Sequence, residues 1–349
     1  MTPRRESELA AHGFYWEEGL HFPLTRTETT ALVAAALQED DAKHDITTAA
    51  TVLSDRRARC RLVPRQTGVV AGLALASEAF RQLDKAVTIR VEHEDGSHIT
   101  PRGPVMFLSG HARGLLSAER VALNFVQRLS GIATLTARYV DAIAGTHAHI
   151  LDTRKTTPGW RRLEKYAVRC GGGLNHRMYL SSSVLIKDNH LAAVDGDIAL
   201  AVKRARAVGP AGIKVEVECD RLDQVRIAID AGADVIMLDN MQLADLREAV
   251  KLVDGRAVTE ASGGVTLDSV RPIAETGVNW ISVGALTHSA PALDLARTRW
   301  TFDPRSSHAQ GSSPFRRTAQ HVAGRKSHAF CGRQCGGVQK KRRRRLFSN

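Results

Sequence analysis

The chain has 349 residues and a formal net charge of +12, which is long enough for two domains and a large buried core. Its five cysteines are too scattered for a disulfide framework, and no apolar run approaches the ~18 residues of a membrane span. The N-terminal stretch also lacks the apolar core of a secretion signal. We therefore expect a cytoplasmic protein that does not associate with membranes.

The positive charge is concentrated at the C-terminal end of the chain. Twelve Lys and Arg stand against one acid in residues 303–349, so the preceding part is nearly neutral. These residues contain few periodic apolar positions, which predicts a disordered basic tail. The run Lys340–Arg345 is typical of nucleic-acid binding or nuclear import. We favour a basic appendage without such a role and expect no nucleic-acid partner.

Residues 1–24 carry little pattern, and the first clear element follows them. Thr25-x-x-Glu28 is a capping box and predicts a helix that ends near Glu39. Residues 44–48 are interpreted as a loop. The next patterns are strand signals at residues 58–62, 87–91 and 104–108, a helix at Leu73–Leu83 and a turn at Asp95-Gly96. Antiparallel strands beside helices predict a small α+β domain.

Residues 113–145 form a long helical pattern with one apolar face. We expect Gly131 to kink or break this helix, and we place the domain boundary there. The predicted domains are 25–131 and 132–302, between the N-terminal segment and the tail 303–349.

From His147 onward, strand and helix patterns alternate strictly, which predicts a parallel sheet. Strands are predicted at 149–151, 184–186, 213–217, 235–238, 257–258 and 280–283. The intervening helices are predicted at 162–170, 197–208, 222–231, 243–253, 267–276 and 291–299.

The polar residues indicate how this sheet closes. Polar or glycine-rich segments follow the strand ends: Asp152-Thr153-Arg154-Lys155, Lys187 to His190, Glu218, Asp239-Asn240, Ser262-Gly263-Gly264 and Gly284-Ala285-Leu286-Thr287-His288. An open sheet concentrates its chemistry at one switch point, whereas a barrel distributes it over all strand ends. We therefore predict an α/β barrel.

Three kinds of group are expected on the rim of this barrel. The cations are Arg154, Lys155, His176, Arg177 and Lys187. Because crowded cations repel one another unless anions compensate, the ligand should carry several negative groups. The acids are Glu216 and Glu218, which share a strand face, and Asp239. They are suited to holding Mg²⁺, stabilising a developing positive charge, or pairing with neighbouring cations.

The third group is a predicted phosphate cradle. The loops Ser262-Gly263-Gly264 and Gly284 to His288 follow the last two strands and precede helices. Backbone N–H groups at such positions favour phosphate. A ligand with a terminal phosphate, further anionic groups and a centre that becomes cationic suggests phosphoribosyl transfer from phosphoribosyl pyrophosphate (PRPP).

At these residues the chain resembles the quinolinate phosphoribosyltransferase family. The likeness runs from about Thr25 to Arg299. It rests on the segments AERVALNFVQRLSGIATLT (118–136), DTRKTTPGW, GGGLNHR, LIKDNH, VEVE, DVIMLDN, EASGGV and VGALTHS. The resemblance implies an N-terminal open-faced α/β sandwich, a C-terminal incomplete α/β (TIM-like) barrel, and a homodimer in which Arg120 reaches the site of the neighbouring subunit.

The resemblance also implies residue roles in converting quinolinate and PRPP, with Mg²⁺ as the cofactor, to nicotinate mononucleotide, pyrophosphate and CO₂. Arg154, His176, Arg177 and Lys187 would clamp the two carboxylates of quinolinate, with Lys155 also serving PRPP. Thr153 would be a further substrate-binding residue. Glu218 and Asp239 would face the ribose and Mg²⁺. With Lys155 they are the expected catalytic residues. Ser262, Gly263, Gly284 and His288 would hold the 5-phosphate, and Gly264 and Ala285 would be further substrate-binding residues.

Three residues depart from the family pattern: Trp160 replaces an aliphatic residue, Tyr179 a glycine and Ser182 an aspartate. Two other functions stay open at this point. One is a related phosphoribosyltransferase that acts on nicotinate, although the cations outnumber what one carboxylate requires. The other is nucleic-acid binding through the basic tail.

Overall fold

The structure, a computed structural model, describes residues 19–303 and, within them, all side chains except those of residues 297–299. The expectations for the first residues of the chain and for the basic tail therefore lie outside the described residues. In this part of the chain, no helix has both the length and the apolar character needed to span a membrane.

The N-terminal region begins with α1, whose start follows the expected capping box. Thr25 Oγ1 accepts from the backbone N–H of Glu28 at 3.3 Å, and the Glu28 carboxylate accepts from Thr25 N–H at 2.8 Å. The elements of this region are α1 (Arg26–Glu39), a 3₁₀ turn (Ala42–His44), α2 (Ile46–Thr51), β1 (Arg57–Pro64), β2 (Gly68–Val69), α3 (Leu73–Leu83), β3 (Thr88–Val91), β4 (His98–Ile99), β5 (Met106–His111) and α4 (Ala112–Ala142). The helices expected at α1 and α3 are confirmed.

A four-stranded antiparallel sheet with the order β12-β1-β5-β3 forms the frame of this region, with β12 spanning Leu295–Phe302. On β1, Ala58, Cys60 and Leu62 are buried and alternate with exposed arginines, as the sequence predicts. The buried face packs in the same core as α3 and α4, and the other face stays open. The expected α+β architecture is confirmed.

Two predictions for segments in or next to this sheet, residues 44–48 and residues 291–299, are wrong. Residues 44–48 are not a simple loop, because Asp45 caps a short helix by accepting from Thr48 N–H at 2.9 Å. Residues 291–299 are not a helix, because the chain there enters β12 and pairs with β1. Leu293 and Leu295 are both buried, a spacing of two that fits a strand.

The helix α4 runs for 31 residues without interruption through Gly131, so the expected break is wrong. Gly131 is fully buried within the helix against the segment that leads into β12. A Cβ atom at this position would lie 2.1 Å from the carbonyl oxygen of Pro291. The glycine therefore serves a close approach of two backbones. The domain division at residue 131 stays a prediction.

The C-terminal region is an open barrel of six parallel strands, which confirms the expected incomplete barrel. Its elements are β6 (His149–Leu151), α5 (Arg161–Cys170), β7 (Val184–Ile186), α6 (Asp188–Ala192), α7 (Ile198–Val208), β8 (Val215–Cys219), α8 (Leu222–Asp230), β9 (Val235–Asp239), α9 (Leu243–Val253), β10 (Val258–Ser262), α10 (Leu267–Ala274), β11 (Trp280–Ser282) and α11 (Ala285–His288). The strand order is β6-β11-β10-β9-β8-β7, so the sheet stays open between β6 and β7.

Alternate residues of these strands face the barrel interior. Leu151, Leu174, Val235, Val258 and Trp280 form a separate buried cluster inside the barrel. The neighbouring strand residues, such as Val217 and Ile236, belong to the main core. Glu216 is paired in register with Val235, and Glu260 with Trp280, so both glutamates share the interior face.

We predict that Gly131→Ala lowers the free energy of unfolding by about 1–3 kcal/mol, as overpacking typically does. The carbonyl of Pro291 belongs to the backbone and cannot rotate away from a new methyl group. Urea unfolding followed by circular dichroism measures this loss.

The matched control for this prediction is Asn124→Ala, an exposed position of the same helix, which should not destabilise the protein because alanine favours helices. Equal stability of Gly131→Ala and the parent protein would contradict the close approach.

Candidate active site

The carboxyl ends of the six parallel strands meet at one end of the barrel, which we call the rim. Their register joins Ser282 with Leu151, Asp239 with Ser262, and Ile186 with Val217. The expected site residues that follow these strand ends therefore lie at the same end of the barrel, on the rim. They are Thr153, Arg154 and Lys155 after β6, Lys187 after β7, Glu218 on β8, Asp239 on β9, Ser262, Gly263 and Gly264 at and after β10, and Gly284, Ala285 and His288 after β11.

A buried ion pair fixes the two segments that carry Arg154, Lys155, His176 and Arg177. Lys165 on α5 donates to the carboxylate of Asp152, and both side chains are fully buried. The same carboxylate accepts from Asn175 Nδ2 at 2.6 Å and from His176 N–H at 2.9 Å. Lys165 Nζ also donates to the carbonyl of His176 at 2.9 Å. This cluster, which we call the Asp152 knot, joins β6, α5 and the segment that contains Arg177.

Burial acts against both charges of the Asp152 knot. It raises the pKa of Asp152 and lowers that of Lys165, and their mutual attraction opposes both shifts. Every hydrogen bond that the carboxylate accepts favours its ionised form. Three donors around Asp152 and two acceptors around Lys165 therefore support a charged pair.

Arg154 and Arg177 lie near each other on the rim. Arg177 Nη1 donates to the carbonyl of Ser183 at 2.9 Å. Burial lowers the pKa of Arg177, the carboxylate of Glu216 opposes this shift, and the charge of Arg154 adds to it. Arg154 Nε is buried and has no hydrogen-bond partner among the described residues. A buried N–H without an acceptor beside a second guanidinium favours an anionic ligand.

The three acids of the expected site separate into two environments. Glu218 forms an ion pair with Lys187, and both side chains are partly exposed. Asp239 accepts from Asn240 Nδ2 at 2.7 Å. Glu216, by contrast, lies deeper in the barrel and is buried. The structure therefore brings Glu218 to the rim and places Glu216 beneath it.

His176 lies among buried carboxylates beneath the rim. Its Nε2 is 3.2 Å from Glu216 Oε2 and 3.6 Å from Glu260 Oε2. Burial lowers the pKa of His176, but the charges of Glu260 and Glu216 outweigh it and raise this pKa to about 9. Burial, together with the charge of Glu216, also raises the pKa of Glu260 to about 8.

The hydrogen bonds of His176 assign the position of its proton. Nδ1 accepts from the backbone N–H of Arg177 at 2.8 Å, which requires a free electron pair on Nδ1. A second ring proton would therefore have to open this contact, which opposes the raised pKa. In both charge states Nε2 carries a proton directed at Glu216. The geometry therefore assigns His176 an internal role in this conformation, and its expected contact with quinolinate stays a prediction.

Two groups of side chains could be considered for a metal ion. Among residues 19–303, His176, Glu216 and Glu260 have donor atoms within 4.8 Å of one another. Because His176 Nε2 is protonated, this group is not a prepared metal site. Glu218 and Asp239 offer carboxylate oxygens at the rim, the ligand type that Mg²⁺ prefers, and thus fit the expected ion.

The two glycine-rich loops approach other site residues closely. Gly263 has a φ of +95°, and a Cβ atom there would lie 2.1 Å from Asn240 Oδ1. A Cβ atom at Gly284 would lie 3.2 Å from both Lys155 Cδ and His288 Nε2. Lys155, Gly284 and His288 are therefore neighbours, as an anion site built from separate loops requires.

Two features lie away from the rim. Arg120 is exposed on α4, and the described residues give it no hydrogen bond or ion pair. A cavity of about 730 Å³ opens beside the gap of the barrel. Its described lining includes His176, Arg177 and Glu216 but not Arg154, Lys155, Lys187, Glu218 or Asp239. This cavity reaches the site from beneath the rim.

The three departures from the family pattern have local structural roles. Trp160 stacks on Phe125 with ring centroids 5.3 Å apart. Tyr179 N–H donates to Ser182 Oγ at 3.2 Å, and the Tyr179 side chain is 52% exposed at the edge of the cavity. Trp160 therefore takes part in an aromatic packing contact, and Tyr179 and Ser182 take part in a surface turn.

Sequence reasoning missed Lys165 and Glu260, which complete the two buried clusters. Both are fully buried charged residues, Lys165 on α5 and Glu260 on β10. A fully buried charge is uncommon unless it is paired. The segments RRLEKYAVRC and VTEAS are too polar for either burial to be recognised from the sequence, and the partners become visible only in the fold.

Comparison with known proteins gives the same family for both parts of the chain. The model described as quinolinate phosphoribosyl transferase, C-terminal domain, matches residues 132–297. The N-terminal domain model of the same family matches residues 45–130.

Similar proteins are found among both sequences and structures. The chain is 45% identical over 258 residues to a probable nicotinate-nucleotide pyrophosphorylase [carboxylating] of Bacillus subtilis, covering 74% of this chain and 89% of the relative. Crystal structures of NadC from Streptococcus pyogenes and of the nicotinate-nucleotide pyrophosphorylase from Francisella tularensis are both 40% identical. Their TM-scores are 0.77 and 0.76, and the matches cover 80% and 79% of this chain and 99% and 97% of theirs.

We predict that Asp152→Asn lowers the free energy of unfolding by about 3–5 kcal/mol, because it leaves the buried Lys165 charge without its partner. Replacing Lys165 by Met in the same protein should recover part of the loss, since no unpaired charge then remains. Urea denaturation of the single and double variants measures both effects.

The control is Glu275→Gln, which breaks the exposed pair of Glu275 with Arg271 and should cost no more than about 1 kcal/mol. A loss for Asp152→Asn as small as that of the control would show that the Asp152 knot is not an essential ion pair.

Proposed function

The chain belongs to the quinolinate phosphoribosyltransferase family, and we propose that it transfers the phosphoribosyl group of PRPP to quinolinate. The products are nicotinate mononucleotide, pyrophosphate and CO₂, a step of NAD biosynthesis. The observation that carries this proposal is the gathering of Arg154, Arg177, Lys187 and two acids at one end of the barrel.

Quinolinate binds through its two carboxylates. Arg154 and Arg177 present guanidinium groups that suit carboxylates, and the buried Nε of Arg154 has no acceptor among the described residues. Lys187 adds a third charge and lies against Glu218. Three cations are more than the single carboxylate of nicotinate requires, which supports quinolinate as the substrate. Thr153 and His176 complete this pocket in our proposal.

PRPP binds beside quinolinate with its 5-phosphate in the glycine-rich loops. We assign this phosphate to Ser262, Gly263, Gly264, Gly284, Ala285 and His288. The proximity of Lys155 to Gly284 and His288 supports a shared anion site. Glu218 and Asp239 would hold Mg²⁺, which when bound would supply positive charge that compensates the pyrophosphate group.

The transfer breaks the bond between ribose C1 and the pyrophosphate oxygen and forms a bond from C1 to the ring nitrogen. Pyrophosphate leaves with the electron pair, so positive charge develops on the ribose. The carboxylates of Glu218 and Asp239 stabilise this charge because they are fixed on the strands before the reaction. The ring nitrogen then bears a formal positive charge. It accepts electron density as the adjacent C–CO₂ bond breaks, and a proton replaces the lost CO₂.

A homodimer completes the site in this proposal through Arg120. Arg120 lies about one turn beyond Ser117, whose hydroxyl donates to Asp45 at the start of α2 at 2.9 Å. Next to this face, Ile46 is 82% and Leu53 is 59% exposed. Exposed large apolar side chains beside an arginine that has no partner within residues 19–303 are typical of an interface.

The test of the function is turnover by the full-length protein with PRPP, Mg²⁺ and either quinolinate or nicotinate, followed by mononucleotide and CO₂ formation. Quinolinate should be converted and chelation of Mg²⁺ should slow the reaction. Lys187→Ala should reduce kcat/KM about 10²-fold, as loss of a preorganised charge does. Conversion of nicotinate alone would reverse the assignment.

The matched control for Lys187→Ala is Lys203→Ala, an exposed position of α7, which should leave kcat/KM unchanged. An effect of Lys187→Ala below about threefold, well short of a catalytic group's usual contribution, would remove Lys187 from the site.

We further predict that mixing inactive Arg120→Ala and Lys187→Ala subunits restores activity. In a mixed dimer one site carries both substitutions and the other carries neither. Random reassortment should therefore recover about a quarter of the parental activity, since half the dimers have one intact site. Subunit exchange is checked by native mass spectrometry. No recovery despite exchange would show that Arg120 acts within its own subunit or not at all.

A further inference from the structure

Arg128, in the middle of α4, links the loop after β6, which contains Lys155, with the loop after β11. Its Nη2 donates to Glu164 Oε1 at 2.7 Å and to the carbonyl of Thr287 at 2.5 Å. Its Nη1 donates to the carbonyl of Ala290 at 3.1 Å. One guanidinium thus contacts α5 and the segment that follows β11.

Glu164 connects Arg128 to the loop after β6. Its carboxylate is fully buried and accepts from Thr157 N–H at 3.0 Å and from Thr157 Oγ1 at 2.8 Å. The Asp152 knot holds the first residue of the loop from Asp152 to Thr157. The contact of Glu164 with Thr157 holds the last residue of the same loop. Lys155 lies between the two attachment points.

Thr287, in the turn after β11, connects Arg128 to the backbone of Lys155. It is fully buried, and its Oγ1 donates to the backbone carbonyl of Lys155 at 2.7 Å. The carbonyl of the same residue accepts from Arg128. Gly284 and His288, which approach the Lys155 side chain, belong to this turn. Arg128 therefore sets the separation of the two loops at the place where Lys155, Gly284 and His288 meet.

We propose that Arg128, acting through Glu164 and Thr287, is a positioning residue for the phosphoribosyl substrate. This inference rests on the proposed function, because it assigns the anion site between these loops to PRPP. Arg128 itself contacts backbone carbonyls and a carboxylate, and it acts on the ligand only by holding Lys155 and the glycine-rich turn. A fully buried carboxylate with an arginine partner adds little stability over apolar packing, whereas a fixed loop geometry is what phosphate binding requires.

The test compares Arg128→Lys with Arg138→Lys, an exposed position of the same helix. Lysine keeps the charge but cannot make the forked contacts of a guanidinium. We expect Arg128→Lys to weaken PRPP binding, measured by calorimetry with Mg²⁺, about tenfold, because small displacements of a binding group have effects of this size. The KM for quinolinate at saturating PRPP should change less than about twofold, since Arg154 is held from the other end by the Asp152 knot. Arg138→Lys should change neither quantity.

A second variant, Thr287→Val, keeps the shape of the side chain and removes the hydroxyl that donates to Lys155. It should also weaken PRPP binding selectively, and it serves as the test if Arg128→Lys does not fold. Unchanged PRPP affinity in the folded variant, or equal losses for PRPP and quinolinate, overturns the positioning role. Selective loss supports it. A parent protein that binds PRPP without converting quinolinate would contradict the proposed function alone, whereas one that does not bind PRPP would overturn both.

Discussion

The geometry of the site depends on one buried ion pair, that of Asp152 with Lys165. It lies where the residue that follows a barrel strand, a helix and a loop without regular structure come together. The loop that carries Arg177 lies at the open side of the barrel, where among the described residues one parallel bridge, from Leu174 to Leu151, joins its start to β6. Backbone groups of that loop are bound by the two buried charges, which gives an irregular segment the rigidity that neighbouring strands receive from the sheet.

The cations of the rim differ in how far neighbouring protein groups compensate their charge. Lys187 is paired with a carboxylate, and Arg177 is bound to a single carbonyl. Arg154 has a buried N–H without an acceptor among the described residues. Like charges in a site of low polarity repel one another, and an anion relieves this repulsion when it binds. Affinity for a doubly charged acid then follows from the arrangement of the free site, because the protein has already oriented the donors.

Much of the fold could be predicted from local sequence patterns. The capping box at Thr25, the alternation along β1 and the strand-helix repeats of the barrel depend on neighbouring residues. The mistakes at Gly131 and at β12 have another origin, because both depend on residues more than 150 positions apart: Gly131 on Pro291, and β12 on β1. The site follows the same division. Residues at strand ends could be recognised from position alone, whereas Lys165 and Glu260 act through partners that only the fold brings near.

The return of the chain from the barrel to the first sheet has a consequence for how the protein is made. β12 is synthesised after all six barrel strands, yet it pairs along nearly the full length of β1. During translation the N-terminal sheet therefore waits with an unpaired edge at β1 while the 183 residues between β5 and β12 emerge from the ribosome. An unpaired edge strand is a template for wrong pairing between chains. The exposed arginines Arg57, Arg59 and Arg61 place like charges along this strand, a feature that disfavours pairing between two such edges.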